Sequence, residues 1–138
     1  MTETSNVSAA IVNTVFDAVR RPKRGMIVWL KSDVYKRLRP KDPNERAWVI
    51  VQADWIQENP NAPYTIIAPI TTRKLGDPTE SGSKNVYVTP PFVKEPSFIL
   101  CGEMQTIEIA DIERALKPKL PKKVAEDLVY ALQSVLGL

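Results

Sequence analysis

The sequence contains no histidine and a single cysteine, Cys101. One thiol cannot form a disulfide within the chain. Without histidine the chain also lacks the residues for a Cys/His zinc site, a Ser-His-Asp triad or a histidine acid/base pair. Any catalysis must therefore use other polar side chains.

Long apolar runs are also missing from the sequence. No stretch approaches the roughly 20 apolar residues that a membrane-spanning helix needs, and Glu3 stands where a signal peptide has basic residues. We therefore expect a cytoplasmic protein without a membrane anchor. The 138 residues fit one domain, residues 1–138.

Positive charge is concentrated in one part of the chain. Residues 20–46 hold ten lysines and arginines against three acids, although the net charge of the whole chain is only +3. These cations flank one apolar strand, so folding should gather them near one edge of the domain, which favours a polyanionic partner. A solvated surface without a partner is the alternative interpretation.

Hydrophobic periodicity predicts a mainly β protein with helices, of the α+β class. Helical spacing of apolar residues predicts a helix over residues 5–20, within an N-terminal extension of residues 1–21. Six short runs rich in β-branched and aromatic residues predict strands, at residues 26–30, 48–52, 64–70, 85–89, 98–101 and 104–109. Short strands without long helical crossovers predict an antiparallel curved sheet or small barrel.

Helices and loops complete the predicted layout. Asp54 and Gln57 have the spacing of a capping box, which predicts one helical turn between the second and third strands. Pro121 suits the first turn of a C-terminal helix. The apolar stripe of that helix consists of Val124, Leu128, Ala131, Leu132, Val135 and Leu136. Residues 31–45 and 72–84 are predicted as long loops.

Four strings occur in an order that resembles a known family. They are RGMIVWL at residues 24–30, RAWVIVQ at 46–52, APITT at 68–72 and LCGEMQTI at 100–107, followed by a closing helix that ends in VLGL. Together they resemble the signature of the MazF/PemK toxins, the endoribonuclease half of bacterial type II toxin–antitoxin modules. The resemblance covers residues 22–138.

The resemblance implies a fold, an activity and partners. It implies an SH3-like small β-barrel that forms a homodimer and cleaves single-stranded RNA at short sequence motifs. Cleavage would proceed through attack of the RNA 2′-hydroxyl, without a metal or other cofactor. It also implies a cognate antitoxin, an acidic and partly disordered segment that a basic surface would attract.

The catalytic residues that the resemblance implies are Arg46 and Thr71. A guanidinium supplies always-charged donors to the oxygens of a reacting phosphate, and a threonine hydroxyl can donate to the same phosphate. Each residue also has a structural interpretation. Arg46 can simply pair with Glu45 or Asp42, and threonine is common at strand ends.

RNA contacts are expected from residues around this pair. They are Lys36, Arg37, Arg39, Lys41, Thr72, Arg73 and Gln105. Tyr35 and Trp55 are placed beside or within loops, where an aromatic ring can stack on a base. Trp29 and Trp48 lie within apolar strands, which favours a place in the core.

The chain departs from the family pattern at several positions. Met26 stands where the family has an acid, and Ala47 stands where a proline follows the catalytic arginine. Within the string LCGEMQTI, the family has Asp-Gln followed by an arginine, and this chain has Gly102, Glu103 and Gln105 in those places. Glu103 is therefore either a general base for the 2′-hydroxyl, provided that the fold buries it, or an anion that repels phosphate and weakens cleavage.

Two other functions remain open from the sequence. The chain can be a catalytically weak or inactive barrel that acts as a binding module or as a CcdB-type poison of DNA gyrase, because one fold hosts several functions. The N-terminal extension can also make the chain a subunit of a larger complex.

Overall fold

A computed structural model of the chain describes residues 23–42, 45–52 and 63–138. The helix expected over residues 5–20 and the helical turn expected at Asp54 and Gln57 lie outside the described residues, as does Trp55.

The described residues form seven strands and two α-helices. The strands are β1 (Ile27–Leu30), β2 (Trp48–Ile50), β3 (Tyr64–Thr72), β4 (Asn85–Val88), β5 (Ser97–Leu100), β6 (Gln105–Glu108) and β7 (Ile112–Leu116). The helices are α1 (Ser32–Leu38) and α2 (Lys122–Leu136). All six predicted strands are confirmed with small shifts at their ends. Strand β7 and helix α1 lie outside the predicted elements. The prediction of a long loop over residues 31–45 is wrong, because α1 lies within it.

The strands pair antiparallel in the order β4-β5-β3-β2-β1-β7, with β6 pairing β3. Strand β3 is nine residues long. Its first half therefore pairs with β6, while its last residues pair with β5. No pairing among the described strands joins β7 back to β4, so the ladder is not closed there. The closed SH3-like barrel stays a prediction.

Two clusters of buried side chains lie on opposite faces of the central strands. In β2, Trp48 and Ile50 belong to one cluster and Val49 to the other, as expected from the alternation of side chains along a strand. Helix α1 packs onto the first cluster, and α2 packs onto the second. The prediction that Trp48 is a core residue is confirmed, since it is 1% exposed.

Helix α2 shows the start and stop signals expected from its sequence. Pro121 is its N-cap residue, and Gly137 follows its last residue with a φ of 74°, a left-handed conformation that favours glycine. The buried positions are Val124, Leu128, Ala131 and Leu132, as predicted. Leu136, predicted for the same stripe, is instead 61% exposed, because the helix ends at the surface. Neither described helix is long and apolar enough to cross a bilayer.

A register shift between β1 and β7 determines which side chains of β7 face the core. Trp29 pairs with Arg114 and Leu30 pairs with Ile112, so Glu113 is an extra residue on β7. Such a bulge interrupts the alternation of side chains between the two faces of the sheet. Both Ile112 and Ala115 are consequently buried, while Arg114 lies opposite Trp29.

Candidate functional site

Arg46 and Thr71 lie side by side in the structure. The pairing of β2 with β3 continues beyond the first residue of β2, where the Ile70 amide donates a hydrogen bond to the Ala47 carbonyl oxygen at 3.0 Å. One step further, Arg46 Nη1 donates a hydrogen bond to Thr71 Oγ1 at 2.9 Å. The fold thus brings together the two residues predicted as the catalytic pair, and their catalytic role stays a prediction.

Asp42 holds a second edge of the Arg46 guanidinium. Arg46 Nε donates a hydrogen bond to Asp42 Oδ2 at 2.7 Å, and Tyr35 Oη donates to the same oxygen at 3.1 Å. Arg39 Nε lies 3.7 Å from this oxygen. The ion pair considered as the structural alternative for Arg46 therefore exists alongside the contact with Thr71. Nη2 of Arg46 makes no hydrogen bond to a described residue.

Tyr35 supports the Asp42 carboxylate from the core. Its side chain is 1% exposed, and its ring meets the Trp48 ring edge-on with 6.3 Å between centroids. Burial raises the pKa of Tyr35, and the hydrogen bond to Asp42 raises that pKa further. The hydroxyl therefore remains protonated at neutral pH and continues to donate. The prediction that Tyr35 stacks on RNA is wrong, because it lies on the buried side of α1.

This arrangement presents hydrogen-bond donors to an anion. The Arg46 guanidinium is permanently charged, and two of its nitrogens are fixed by Asp42 and Thr71. Thr71 Oγ1 accepts the hydrogen bond from Arg46, so the hydroxyl proton of Thr71 is available to another acceptor. A phosphate oxygen beside the pair can receive donors from both side chains. Charge that develops there is stabilised without reorganisation of the site.

Glu103 lies at the surface and pairs with Arg39. It ends a short 3-10 turn, Cys101–Glu103, and its side chain is 53% exposed. Arg39 Nη1 lies 3.3 Å from Glu103 Oε1. The burial on which the general-base hypothesis depends is therefore absent. Glu103 neutralises a cation beside the site.

The other predicted RNA contacts are divided among different places. Lys36 and Arg37 are exposed in the last turn of α1. Lys41 and Gln105 line a cavity of about 480 Å³ together with Arg39, Asp42, Trp48 and Glu103, here called the Glu103 cavity. Arg73 donates to the carbonyl oxygens of Asp77 and Pro78 at 2.8 and 3.1 Å, so it stabilises its own loop.

Arg46 and Thr72 line a second, larger depression of about 940 Å³. Its wall includes Trp29, Lys94, Arg114 and Lys117, and we call it the Arg46 groove. Trp29 is partly buried and packs against the core cluster that contains Val49, while it also borders the groove, so the prediction of a core position is confirmed only in part.

Sequence reasoning missed several residues of this region. From the sequence, Asp42 is expected only as a structural partner of Arg46, and its position four residues before Arg46 is the signal of their local ion pair. Lys94, Arg114 and Lys117 carry no local signal, because only the fold brings them to Arg46. Among the described residues, no group of three His, Cys, Asp or Glu side chains is arranged to hold a metal ion.

Comparisons with known proteins give the family and the fold. Residues 23–136 match the family described as PemK-like, MazF-like toxin of type II toxin-antitoxin system. The structure is similar to Mycobacterium tuberculosis toxin MazF-mt6, with a TM-score of 0.56 and 22% identity over 81% of this chain and 96% of that chain. A comparison with curated proteins found no match.

Two further solved structures are similar to this chain. An endoribonuclease from mycobacterial species has a TM-score of 0.61 and 14% identity over 86% of this chain and 93% of that chain. An endoribonuclease from mycobacterial species in complex with its cognate antitoxin has a TM-score of 0.61 and 15% identity over 85% and 96% of the two chains. At such low identities these similarities establish the fold alone.

Proposed function

The chain belongs to the PemK-like, MazF-like toxin family of type II toxin–antitoxin systems, and from this we propose that it is an endoribonuclease that cleaves single-stranded RNA, including mRNA, at short sequence motifs. The observation that carries the proposal is the hydrogen bond of 2.9 Å between Arg46 Nη1 and Thr71 Oγ1. It leaves a fixed cation and a free hydroxyl proton at one place. As an enzyme acting on mRNA, the protein would work in the cytoplasm.

The proposed reaction is an attack by the RNA 2′-oxygen on the adjacent phosphorus. The 2′-hydroxyl gives up its proton to water, the bond from phosphorus to the 5′-oxygen breaks, and that oxygen takes up a proton from water. The products are a 2′,3′-cyclic phosphate and a 5′-hydroxyl. Arg46 and Thr71 donate to the non-bridging oxygens, whose negative charge rises at the transition state. This chemistry requires no metal, so cleavage should continue in excess EDTA.

The basic surroundings of the pair support RNA as the substrate. Arg39, Lys41 and Gln105 border the Glu103 cavity, while Thr72 lies with Arg46 on the groove. Lys36 and Arg37 extend the positive surface along α1. Glu103 reduces this field locally through its pair with Arg39, so we assign it no role as a base.

The test is cleavage of RNA by purified variants, with fragments mapped by primer extension. Arg46→Ala should lower kcat/KM by about 100- to 1000-fold, the effect of losing one preorganised donor to a developing charge. Thr71→Val, which removes only the hydroxyl, should lower it about 10-fold. Thr71→Ser should retain activity.

Lys122→Ala is the matched control, because this lysine is 93% exposed on α2 and distant in sequence from the site. It should cleave like the wild type. If Arg46→Ala and Thr71→Val cleave RNA as fast as this control while remaining folded, the proposed nuclease site is wrong. Growth inhibition that persists in both variants would instead favour a binding toxin, such as a gyrase poison.

We also propose a homodimer and a cognate acidic antitoxin as partners. One similar structure is an endoribonuclease in complex with its cognate antitoxin, and the cations of the Arg46 groove would attract an acidic segment. Co-expression of a short acidic protein encoded beside this chain should relieve growth inhibition.

A further inference from the structure

Arg114 and Trp29 form a stacked pair on the wall of the Arg46 groove. They are directly opposite each other on β7 and β1. The Arg114 guanidinium carbon lies 4.1 Å from the centre of the Trp29 ring. This is well within the roughly 6 Å at which a cation over an indole ring is attracted to it.

The pair leaves Arg114 available to a ligand. Trp29 is partly buried, whereas Arg114 is exposed and borders the groove. The indole ring holds one face of the guanidinium, which limits the rotamers of a side chain that is otherwise flexible. A guanidinium held in this way offers its outer face to another flat group.

The groove has the charge and lining of a site for single-stranded RNA. Four cationic side chains line it, namely Arg46, Lys94, Arg114 and Lys117, against Glu45 and Glu95. Its remaining wall is largely apolar and includes Ile27, Ile70 and Phe92. Single-stranded RNA supplies phosphates for the cations and flat bases for aromatic rings and guanidinium planes.

Other occupants match this groove less well. A second copy of the chain related by two-fold symmetry would bring the same excess of cations against itself, which opposes association. An acidic peptide would pair with Lys94 and Lys117, but its carboxylates bind the N–H edge of a guanidinium and would leave the outer face of Arg114 without a stacked ring. The fixed plane of the Arg114 guanidinium, together with the positive charge of the Arg46 groove, therefore favours a nucleic acid as the occupant.

We propose that Arg114, held by Trp29, is a base-stacking subsite that binds a nucleobase of the RNA whose scissile phosphate lies at Arg46. The proposal depends on the proposed nuclease function for the identity of the ligand. It adds a residue that selects for single-stranded RNA, because only an unpaired base can leave the stack of neighbouring bases and stack on a side chain instead.

The test compares two kinds of fluorescein-labelled probe that cannot be cleaved. The first is a set of 2′-O-methyl decamers of A, C or U, which lack the attacking hydroxyl. The second is a decamer of abasic phosphodiester units, which carries the same charges without bases. Arg114→Lys keeps the charge and removes the plane. Loss of one stacked base should weaken binding to the base-bearing probes about 10-fold, with less than a twofold change for the abasic probe.

Two further variants distinguish charge from stacking. Lys117→Ala removes a cation of the same groove and should weaken binding to both probes by the same factor. Lys122→Ala should bind both probes like the wild type. Circular dichroism and light scattering of every variant check folding and oligomeric state.

Several results would overturn the proposal. It is wrong if Arg114→Lys binds the base-bearing probes as tightly as the wild type, or if the wild type binds neither probe. Equal weakening of both probes by Arg114→Lys would also contradict it. A change in oligomeric state without a change in RNA affinity would assign the groove to a subunit interface.

The outcome is separable from that of the proposed function. Base-dependent binding at Arg114 in a protein that does not cleave RNA would support the subsite and contradict the nuclease. RNA cleavage by the protein, together with an Arg114→Lys variant that binds the base-bearing probes as tightly as the wild type, would support the nuclease and contradict the subsite.

Discussion

Replacement of Asp42 by asparagine tests whether the held orientation of Arg46 is needed for activity. Asp42 Oδ2 accepts hydrogen bonds from Arg46 Nε at 2.7 Å and from Tyr35 Oη at 3.1 Å. The amide oxygen of asparagine can still accept a hydrogen bond but carries no charge. The substitution therefore changes the electrostatics of the site with little change in shape.

The expected loss of stability is modest. A hydrogen bond to a charged group contributes about 1.5–3 kcal/mol. The Asp42 side chain is 14% exposed and that of Arg46 is 35% exposed, so solvent screens part of their attraction. Because asparagine retains a weaker hydrogen bond, we expect the free energy of unfolding to fall by about 1–2 kcal/mol. Urea denaturation measures this value.

The effect on catalysis should be larger than the effect on binding. A neutral asparagine holds the Arg46 guanidinium more weakly than the carboxylate does, so the guanidinium can move from its position. Misplacement of a catalytic group by about 1 Å can cost about 100-fold in rate, so Asp42→Asn should lower kcat by about 10- to 100-fold. KM should stay constant or fall, because the substitution removes a negative charge beside the phosphate. Asp42→Glu should restore part of kcat, since it restores the carboxylate.

Steady-state cleavage of a fluorophore-quencher RNA separates kcat from KM. Asp33→Asn is the control, because it removes an exposed carboxylate from the first turn of α1. A folded Asp42→Asn protein with wild-type kcat would refute the reasoning, since the ion pair would then be structural only.

Two predictions concern stability. The pKa of Tyr35 is raised in the folded state. Above the ordinary pKa near 10 the unfolded chain loses this proton while the folded protein keeps it, so the free energy of unfolding should fall as the pH rises above 10. Urea denaturation from pH 8 to 11 should show a steeper fall for the wild type than for Tyr35→Phe. Gly25 has a φ of 93° and a Cβ there would lie 2.9 Å from Leu120 Cδ2, so Gly25→Ala should cost about 1–3 kcal/mol. Gly82→Ala, with open space and no positive φ, should cost less than about 1 kcal/mol, and equal losses in the two variants would contradict this account.

The sequence predicted the strands well where side chains alternate and poorly where they do not. In β2 every second residue faces the same cluster, and the strand was predicted. In β7 the extra residue Glu113 separates the buried Ile112 and Ala115 by three positions, which hides the period of two. Helix α1 buries only Val34 and Tyr35, too few for a helical repeat to be visible.

The site was predictable in its central pair and not in its surroundings. Resemblance supplied Arg46 and Thr71, and the pairing of β2 with β3 brings them together. The place of Tyr35 depends on the packing of α1, which a basic segment without apolar repeats does not reveal. The contact between Trp29 and Arg114 joins residues distant in sequence, so only the strand register shows it.

The bulge between β1 and β7 places neighbouring residues of β7 under different constraints. Ile112 and Ala115 are confined to apolar residues by the interior, whereas position 114 points to the other side and touches solvent. A substitution at position 114 therefore leaves the buried side chains of β7 unchanged. Under the proposed stacking role, such a substitution would change the contact with RNA and keep the same scaffold.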